Sequence, residues 1–148
     1  MYLLDTNVLS ATAPTKTRPD RNLQAWIRRR SDRLFLSAIT LLELSYGLTW
    51  LRHRAATAKA NQLAAWMDLV CFHYAARILP VDMSVALRAG ALITLARANG
   101  VQIDTEDALI AATANLRSLI VLTDNVRHFA PTGVAHLNPF DRLPPDDG

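Results

Sequence analysis

The sequence predicts an α/β fold, a three-layer α/β/α sandwich with a mostly parallel sheet. Short apolar runs alternate along the chain with stretches whose apolar residues have helical spacing. Strands that alternate with helices form parallel sheets covered by helices on both faces. No repeat, low-complexity tract or linker interrupts this alternation. We therefore expect one domain over residues 1–140, with residues 141–148 as a disordered tail.

The composition is that of a globular domain in a reducing compartment. The 148 residues are 51% hydrophobic and 20% charged, enough to bury roughly 70% of the unfolded surface. The net charge of +3 favours a polyanionic partner without identifying one. The single Cys71 excludes an intrachain disulfide and a multi-thiolate zinc site, and it fits the cytoplasm. Neither a signal peptide nor a membrane span is expected.

The first half of the chain predicts two strands and four helices. Residues 1–4 form a strand that leads into a helix over residues 6–13, which Pro14 ends. Asp20 caps a second helix that runs through Arg30. Residues 34–36 form the second strand, followed by a helix over residues 37–51 with leucines at spacings of three and four. An alanine-rich helix is predicted over residues 52–76.

The second half predicts three strands and two helices. Residues 78–81 form a short strand, and Pro80 favours a brief or edge position for it. Asp82 caps a helix over residues 83–99, and Gly100 is a natural stop for it. Residues 103–118 form the last predicted helix, and residues 119–122 are the clearest strand of the chain. Residues 134–137 could add a final strand.

Acidic residues follow or precede the predicted strands in a way that could bring them together. Asp5 directly follows the first strand, and Asp124 and Asn125 follow the strand over residues 119–122. Glu43 and Asp107 lie near the starts of helices. Strand ends and helix starts gather at one edge of a parallel sheet. Asp5, Glu43, Asp107 and either Asp124 or Asn125 could therefore face one pocket.

Converging carboxylates indicate a divalent metal ion. Two like charges about 4 Å apart repel by roughly 4 kcal/mol at an effective dielectric constant of 20. Such a cluster is tolerated when the acids are protonated or a cation neutralises them. Oxygen ligands without cysteine select Mg²⁺ or Mn²⁺ over zinc. The predicted reaction is the attack of a metal-activated water on a phosphodiester.

Each acid also has a purely structural interpretation. Asp5 could cap a helix, Glu43 could pair with a buried arginine, and Asp107 could balance a helix dipole. Thr6 and Thr123 could be caps or could orient waters. The four histidines show no ligand spacing and are interpreted as structural or surface residues. The acids taken together favour a metal site more than any one of them does.

Several motifs along nearly the whole chain resemble one known family. The match is to PIN-domain ribonuclease toxins of the VapC/FitB type, from bacterial toxin–antitoxin pairs. It is carried by Leu3-Leu4-Asp5-Thr6-Asn7-Val8, Leu36-Ser37-Ala38-Ile39-Thr40 with Glu43-Leu44 and Gly47-Leu48, the stretch from Asp107 to Ala114, Thr123-Asp124-Asn125 with His128-Phe129, and Asn138-Pro139-Phe140.

The resemblance implies a PIN-like nuclease domain that acts as a toxin. It implies a cytoplasmic endoribonuclease that depends on Mg²⁺ or Mn²⁺ and forms a homodimer. It also implies a cognate antitoxin that silences the enzyme, and an arginine inserted among the acids is the mode of inhibition we expect. The RNA target, the number of metal ions and the identity of the antitoxin stay open.

The resemblance also assigns roles to individual residues. The acids that match Asp5, Glu43 and Asp107 surround the metal ion in this family. A fourth acid commonly follows, but this chain has Asn125 at that position, with Asp124 one residue earlier. Which of these two serves the fourth position is left open. Supporting roles in placing waters and the scissile phosphate are implied for Thr6, Asn7, Thr123 and Asn125.

Three other functions were weighed against the nuclease. An aspartate-based phosphatase or a 5′-nuclease would have a similar rim of acids. The phosphatase needs a second aspartate two residues after Asp5, where this chain has Asn7. A phosphorylated receiver domain needs a late lysine, and no lysine follows Lys59. A catalytically weakened PIN-like domain that binds RNA or a protein through the same acidic rim is the main alternative, and Asn125 keeps it open.

Overall fold

The computed structural model describes residues 1–145, and their strands form one five-stranded sheet. The strands are β1 Tyr2–Leu4, β2 Leu34–Ser37, β3 Ile78–Leu79, β4 Ile120–Leu122 and β5 His136–Leu137. Their order is β3-β2-β1-β4-β5, and all four neighbouring pairs are parallel. The predicted α/β class is confirmed, and β3 lies at an edge of the sheet, as Pro80 indicated.

Seven α-helices connect these strands in the described part of the chain. They are α1 Thr6–Ser10, α2 Arg21–Arg29, α3 Ala38–His53, α4 Thr57–Tyr74, α5 Met83–Ala98, α6 Thr105–Leu116 and α7 Val126–Phe129. Side chains of Asp5, Asp20, Ser37 and Asp82 accept hydrogen bonds at the starts of α1, α2, α3 and α5. Within residues 1–145, no helix has the length and apolar character needed to cross a membrane.

The sheet separates two apolar cores because successive strand residues face opposite sides. On one side, Leu3 of β1 and Val121 of β4 pack with residues of α5 and α6. On the other side, Leu4 and Leu122 pack with residues of α1, α2, α3 and α4. All four of these strand residues are fully buried. This arrangement gives the three layers that the sequence predicts.

The junction between α3 and α4 differs from the predicted helix over residues 52–76. Helix α3 continues to His53, and α4 begins at Thr57. Ala55 between them has φ 55°, and the N–H groups of Ala55 and Ala56 donate to the carbonyls of Arg52 and Leu51. This is a Schellman closure of α3, which usually has glycine at the left-handed position. An alanine at this position gives no sequence signal for a helix end. The predicted boundary between the two helices was wrong for this reason.

The segment expected as a tail is packed through Pro144. Trp26 Nε1 donates a hydrogen bond to the Pro144 carbonyl at 3.0 Å in a buried environment. Leu143 packs against the core that contains Trp26. Residues 143 and 144 therefore contact the rest of the domain, and residues 146–148 of the predicted tail lie outside the described residues.

The strand register aligns the residues that begin the candidate site. Leu4 at the end of β1 pairs with Leu36 of β2 and Leu122 of β4. The next residue on each strand is therefore Asp5, Ser37 or Thr123, at one carboxyl edge of the sheet. The Asp5 N–H donates to the Leu122 carbonyl at 2.9 Å, which fixes Asp5 at the end of the ladder. Helices α1 and α3 start at this same edge.

Candidate active site

Asp5 lies at the centre of the carboxyl edge and is held by three neighbouring donors. Its Oδ1 accepts the N–H of Thr6 at 2.7 Å, which caps α1. Its Oδ2 accepts from Asn7 Nδ2 at 2.9 Å and from the Thr123 hydroxyl at 2.6 Å. Only 3% of Asp5 is exposed. Asp5 therefore caps α1 and is also a candidate metal ligand. The two interpretations of this carboxylate are compatible.

Glu43 projects from the second turn of α3 towards the same edge. The hydroxyl of Thr6 donates a hydrogen bond to Glu43 Oε2. The structural interpretation of Glu43 required a buried arginine beside it. In the part of the chain that the structure describes, the group that bonds to Glu43 is instead the Thr6 hydroxyl. Thr6 therefore links Asp5 and Glu43, through its N–H to the first and its hydroxyl to the second.

Asp107 lies in the first turn of α6 and contacts residues that follow β4. Its Oδ2 accepts from Asn125 Nδ2 at 3.0 Å, and His128 Nδ1 lies 2.7 Å from the same oxygen. Asn125 is tied back to the sheet because its N–H donates to the Thr123 hydroxyl at 2.9 Å. One network of hydrogen bonds therefore runs from Asp5 through Thr123 and Asn125 to Asp107.

The carboxylates are close enough to oppose each other's ionisation. The pKa of Asp5 is raised from 3.8 to about 6, chiefly by burial. The charges of Asp107 and Glu43 contribute to this rise, and the hydrogen bonds from Thr123 and Thr6 oppose it. Burial also raises the pKa of Glu43, with contributions from the charges of Asp107 and Glu106. The structure thus brings Asp5, Glu43 and Asp107 together electrostatically, as their sequence positions predicted.

The surroundings of these acids fit a divalent cation. The atoms with which these acids would bind a metal ion are carboxylate oxygens, the ligands that Mg²⁺ and Mn²⁺ prefer. Among residues 1–145, the buried Asn7 Oδ1 beside Asp5 has no hydrogen-bond partner, and such an atom could accept from a metal-bound water. An open cavity of about 630 Å³ leads to the acids, a size within the range of small-ligand sites. It is lined by Leu42, Glu43, Tyr46, Asp104, Glu106 and Asp107.

Asp124 does not join the acid cluster. It is exposed and lines a second cavity of about 400 Å³, together with Asn7, Lys16 and Arg18. Asn125 is the residue of this pair that contacts Asp107. The neutral amide therefore occupies the place beside the acids, and the acidic side chain one residue earlier faces elsewhere.

Sequence reasoning placed His128 outside the cluster and interpreted Asp104 and Glu106 as solvent-exposed acids in the first turn of their helix. His128 was interpreted as structural or surface, yet its ring contacts Asp107 and Asn125. Asp104 and Glu106 line the acidic cavity. The signal for His128 lies in α7, a single helical turn that was not predicted and that begins after Asn125. Residues three apart on a helical turn are neighbours, so this turn places His128 beside Asn125.

Comparisons with known proteins agree with this fold. A family model described as the PIN domain matches residues 2–133. A VapC ribonuclease from Sinorhizobium fredii is 34% identical over 143 residues, which cover 95% of this chain and 99% of the relative. The toxin FitB of Neisseria gonorrhoeae is 35% identical over 141 residues, with coverage of 95% and 99%. The crystal structure of FitAcB from that organism superposes with a TM-score of 0.83, at 35% identity, and covers 95% of this chain and 99% of its own.

These similarities extend over nearly all of the chain. The chain therefore belongs to the PIN-domain family, as its motifs indicated. Its relatives include proteins named as a VapC ribonuclease and as the toxin FitB.

Proposed function

We propose that this protein is the toxin of a toxin–antitoxin pair and acts as a divalent-metal-dependent endoribonuclease. The observation that carries the proposal is the convergence of Asp5, Glu43 and Asp107 at one sheet edge, where burial and mutual repulsion raise the pKa of Asp5 and of Glu43. Clusters of this kind are typical of functional sites and are stabilised by a cation. The names of the relatives supply the substrate class, RNA, and the role as a toxin.

Asp5 and Asp107 would be the principal metal ligands, with Glu43 binding directly or through a water. When bound, Mg²⁺ or Mn²⁺ lowers the pKa of a water and offsets charge on the phosphate. The protein fixes the carboxylates in advance, since Thr123 and Asn7 bond to Asp5, and Asn125 bonds to Asp107. No side chain is needed as the nucleophile.

The hydroxyls and amides of this network orient the ligands. Thr6 donates to both acids on its side, and the Thr123 hydroxyl accepts from Asn125 N–H while it donates to Asp5. A hydroxyl that is already engaged in this way has a fixed direction. The hydroxyls and amides of the network would also contact the waters and the scissile phosphate.

An antitoxin would inhibit the enzyme by neutralising the acids. The solved relative reported above is a crystal structure of FitAcB. An antitoxin arginine that enters the acidic cavity would replace the cation and would form charge-assisted bonds with the carboxylates.

For the homodimer, the exposed apolar side chains of α3 and α4 are the candidate surface, among them Trp50 at 50% and Phe72 at 78% exposure.

The test is RNA cleavage by the purified chain free of any partner. Total RNA would be incubated with Mg²⁺ or Mn²⁺, with and without a chelator, for the wild type and for Asp107→Asn. Asp68→Asn on the exposed surface of α4 removes the same charge away from the site. We expect cleavage by the wild type and by Asp68→Asn, and none with chelator or by Asp107→Asn. Metal binding without cleavage would favour the weakened domain that binds RNA or protein.

A further inference from the structure

Three polar atoms next to the acid cluster lie unusually close together. Asp107 Oδ2, Asn125 Nδ2 and His128 Nδ1 are separated by 3.0, 2.8 and 2.7 Å. Each atom is thus within hydrogen-bond distance of the other two. The side chains are mostly enclosed, with 18% of His128 and 16% of Asp107 exposed.

Hydrogen bonds alone cannot satisfy this arrangement. If His128 Nδ1 carries a proton and donates it to Asp107, the N–H groups of His128 and Asn125 face each other. If Nδ1 is unprotonated, its lone pair faces the Asp107 carboxylate. Reversing the Asn125 amide would instead set its oxygen against that carboxylate. With Asp107 ionised, one of the three contacts is unfavourable in each of these cases, whereas a cation would be attracted by a carboxylate, an amide oxygen and a nitrogen lone pair together.

A further carboxylate is available at the same point. Asp104 occupies the N-cap position of α6, but its side chain makes no capping hydrogen bond. One ligand atom each from Asp104, Asp107 and His128 lies within 4.8 Å of the other two. Asp104 is exposed to the cavity that leads to the acids. The cluster therefore offers two carboxylate oxygens and one ring nitrogen within reach of a single ion.

We propose that His128 is a metal ligand through Nδ1 and that it completes the coordination on the Asp107 side, where Asn125 leaves a carboxylate missing. Asp104 is the additional oxygen ligand at the mouth of the cavity. This inference rests on the proposed metal centre and adds a ligand to it. A nitrogen ligand favours first-row transition ions over Mg²⁺, which takes oxygen ligands. Of the two ions considered above, a site with such a ligand binds Mn²⁺ in preference to Mg²⁺.

The experiment uses Mn²⁺ alone as the probe and requires no RNA. Pulsed electron paramagnetic resonance of the Mn²⁺-loaded full chain detects nitrogen nuclei bonded to the metal, and ¹⁵N-labelled histidine assigns that nitrogen. We expect a histidine nitrogen coupling in the wild type that is lost in His128→Gln. His53→Gln, on the exposed end of α3, is the matched control and should retain the coupling.

Affinity gives a second readout. His128→Gln should weaken Mn²⁺ binding by about 10–100-fold, the range found when partners of a metal site are changed, and should weaken Mg²⁺ binding less. Bound Mn²⁺ without a histidine coupling in the wild type would overturn the His128 assignment and leave the acid centre intact. A wild-type chain that binds neither ion would overturn the metal centre itself.

Discussion

Replacing Asp5 by asparagine is expected to stabilise the metal-free chain at neutral pH, although it removes a central residue of the site. Burial, followed by the charges of Asp107 and Glu43, raises the pKa of Asp5 from 3.8 to about 6 in the folded chain. The folded state therefore prefers the protonated acid, and ionisation works against folding. The stability that the protonated form contributes is fully present below pH 3.8 and is lost as the pH rises through about 6.

The size of the effect follows from the pKa difference. At about 1.4 kcal/mol for each tenfold change in proton affinity, the difference between 3.8 and about 6 corresponds to about 3 kcal/mol. Asparagine removes this cost of ionising residue 5 in the folded chain. Its amide would, however, face the donors Asn7 Nδ2 and Thr123 Oγ1. An unfavourable polar contact of this kind costs about 1–3 kcal/mol. A net gain of about 0–2 kcal/mol above pH 7 is expected, which corresponds to at most a few degrees in Tm.

The assay is urea unfolding of both proteins in chelator between pH 4.5 and 8. The unfolding free energy of Asp5→Asn relative to wild type should rise by about 2 kcal/mol over this pH range, since the hydrogen-bond cost is nearly the same at both ends. Saturating Mn²⁺ should reverse the order because it stabilises the wild type by binding to its folded state. A relative stability that is independent of pH, or that falls as the pH rises, would refute the reasoning.

Three further perturbations test the site and the fold. Glu43→Gln removes a candidate ligand and should weaken Mn²⁺ binding by about tenfold or more in calorimetry; unchanged affinity would exclude Glu43 from the metal centre. Ala55→Gly relieves a left-handed residue with φ 55°, so it should raise the unfolding free energy by about 0.5–1 kcal/mol in urea titrations, and a loss would contradict the closure inferred there. Trp26→Phe leaves the Pro144 carbonyl without its buried donor, and a cost of about 1–3 kcal/mol is expected in the same assay; no cost would mean that the end of the chain contributes nothing to stability.

The sheet could be predicted from sequence because each strand is a short apolar run bounded by polar residues. In a parallel sheet both faces are covered, so Leu3 and Leu4 are equally buried although they face different cores. The register then follows from aligned strand ends. Placing Asp5 after one central strand and Thr123 after its neighbour was therefore enough to predict the edge where the site lies.

The remaining differences have local physical causes. The boundary between α3 and α4 depends on a left-handed alanine, and alanine carries no signal for that conformation, unlike Gly100, whose φ of 77° ends α5. The role of His128 depends on α7, a helix of four residues that is too short to show an apolar period. The choice between Asp124 and Asn125 depends on which of two adjacent side chains turns inwards, and spacing along the chain does not decide it.

The chemistry of the cleaved RNA ends tests the central claim most directly. Attack by a metal-activated water leaves linear phosphate and hydroxyl ends, and it does not need the 2′-hydroxyl beside the scissile bond. Once a cleavage position is mapped, an oligonucleotide with a single 2′-deoxy nucleotide at that position should still be cut in Mn²⁺, without any cyclic phosphate product. A block by the 2′-deoxy substitution together with 2′,3′-cyclic phosphate ends in the unmodified RNA would show attack by the neighbouring hydroxyl, and it would contradict a reaction centred on Asp5, Glu43 and Asp107.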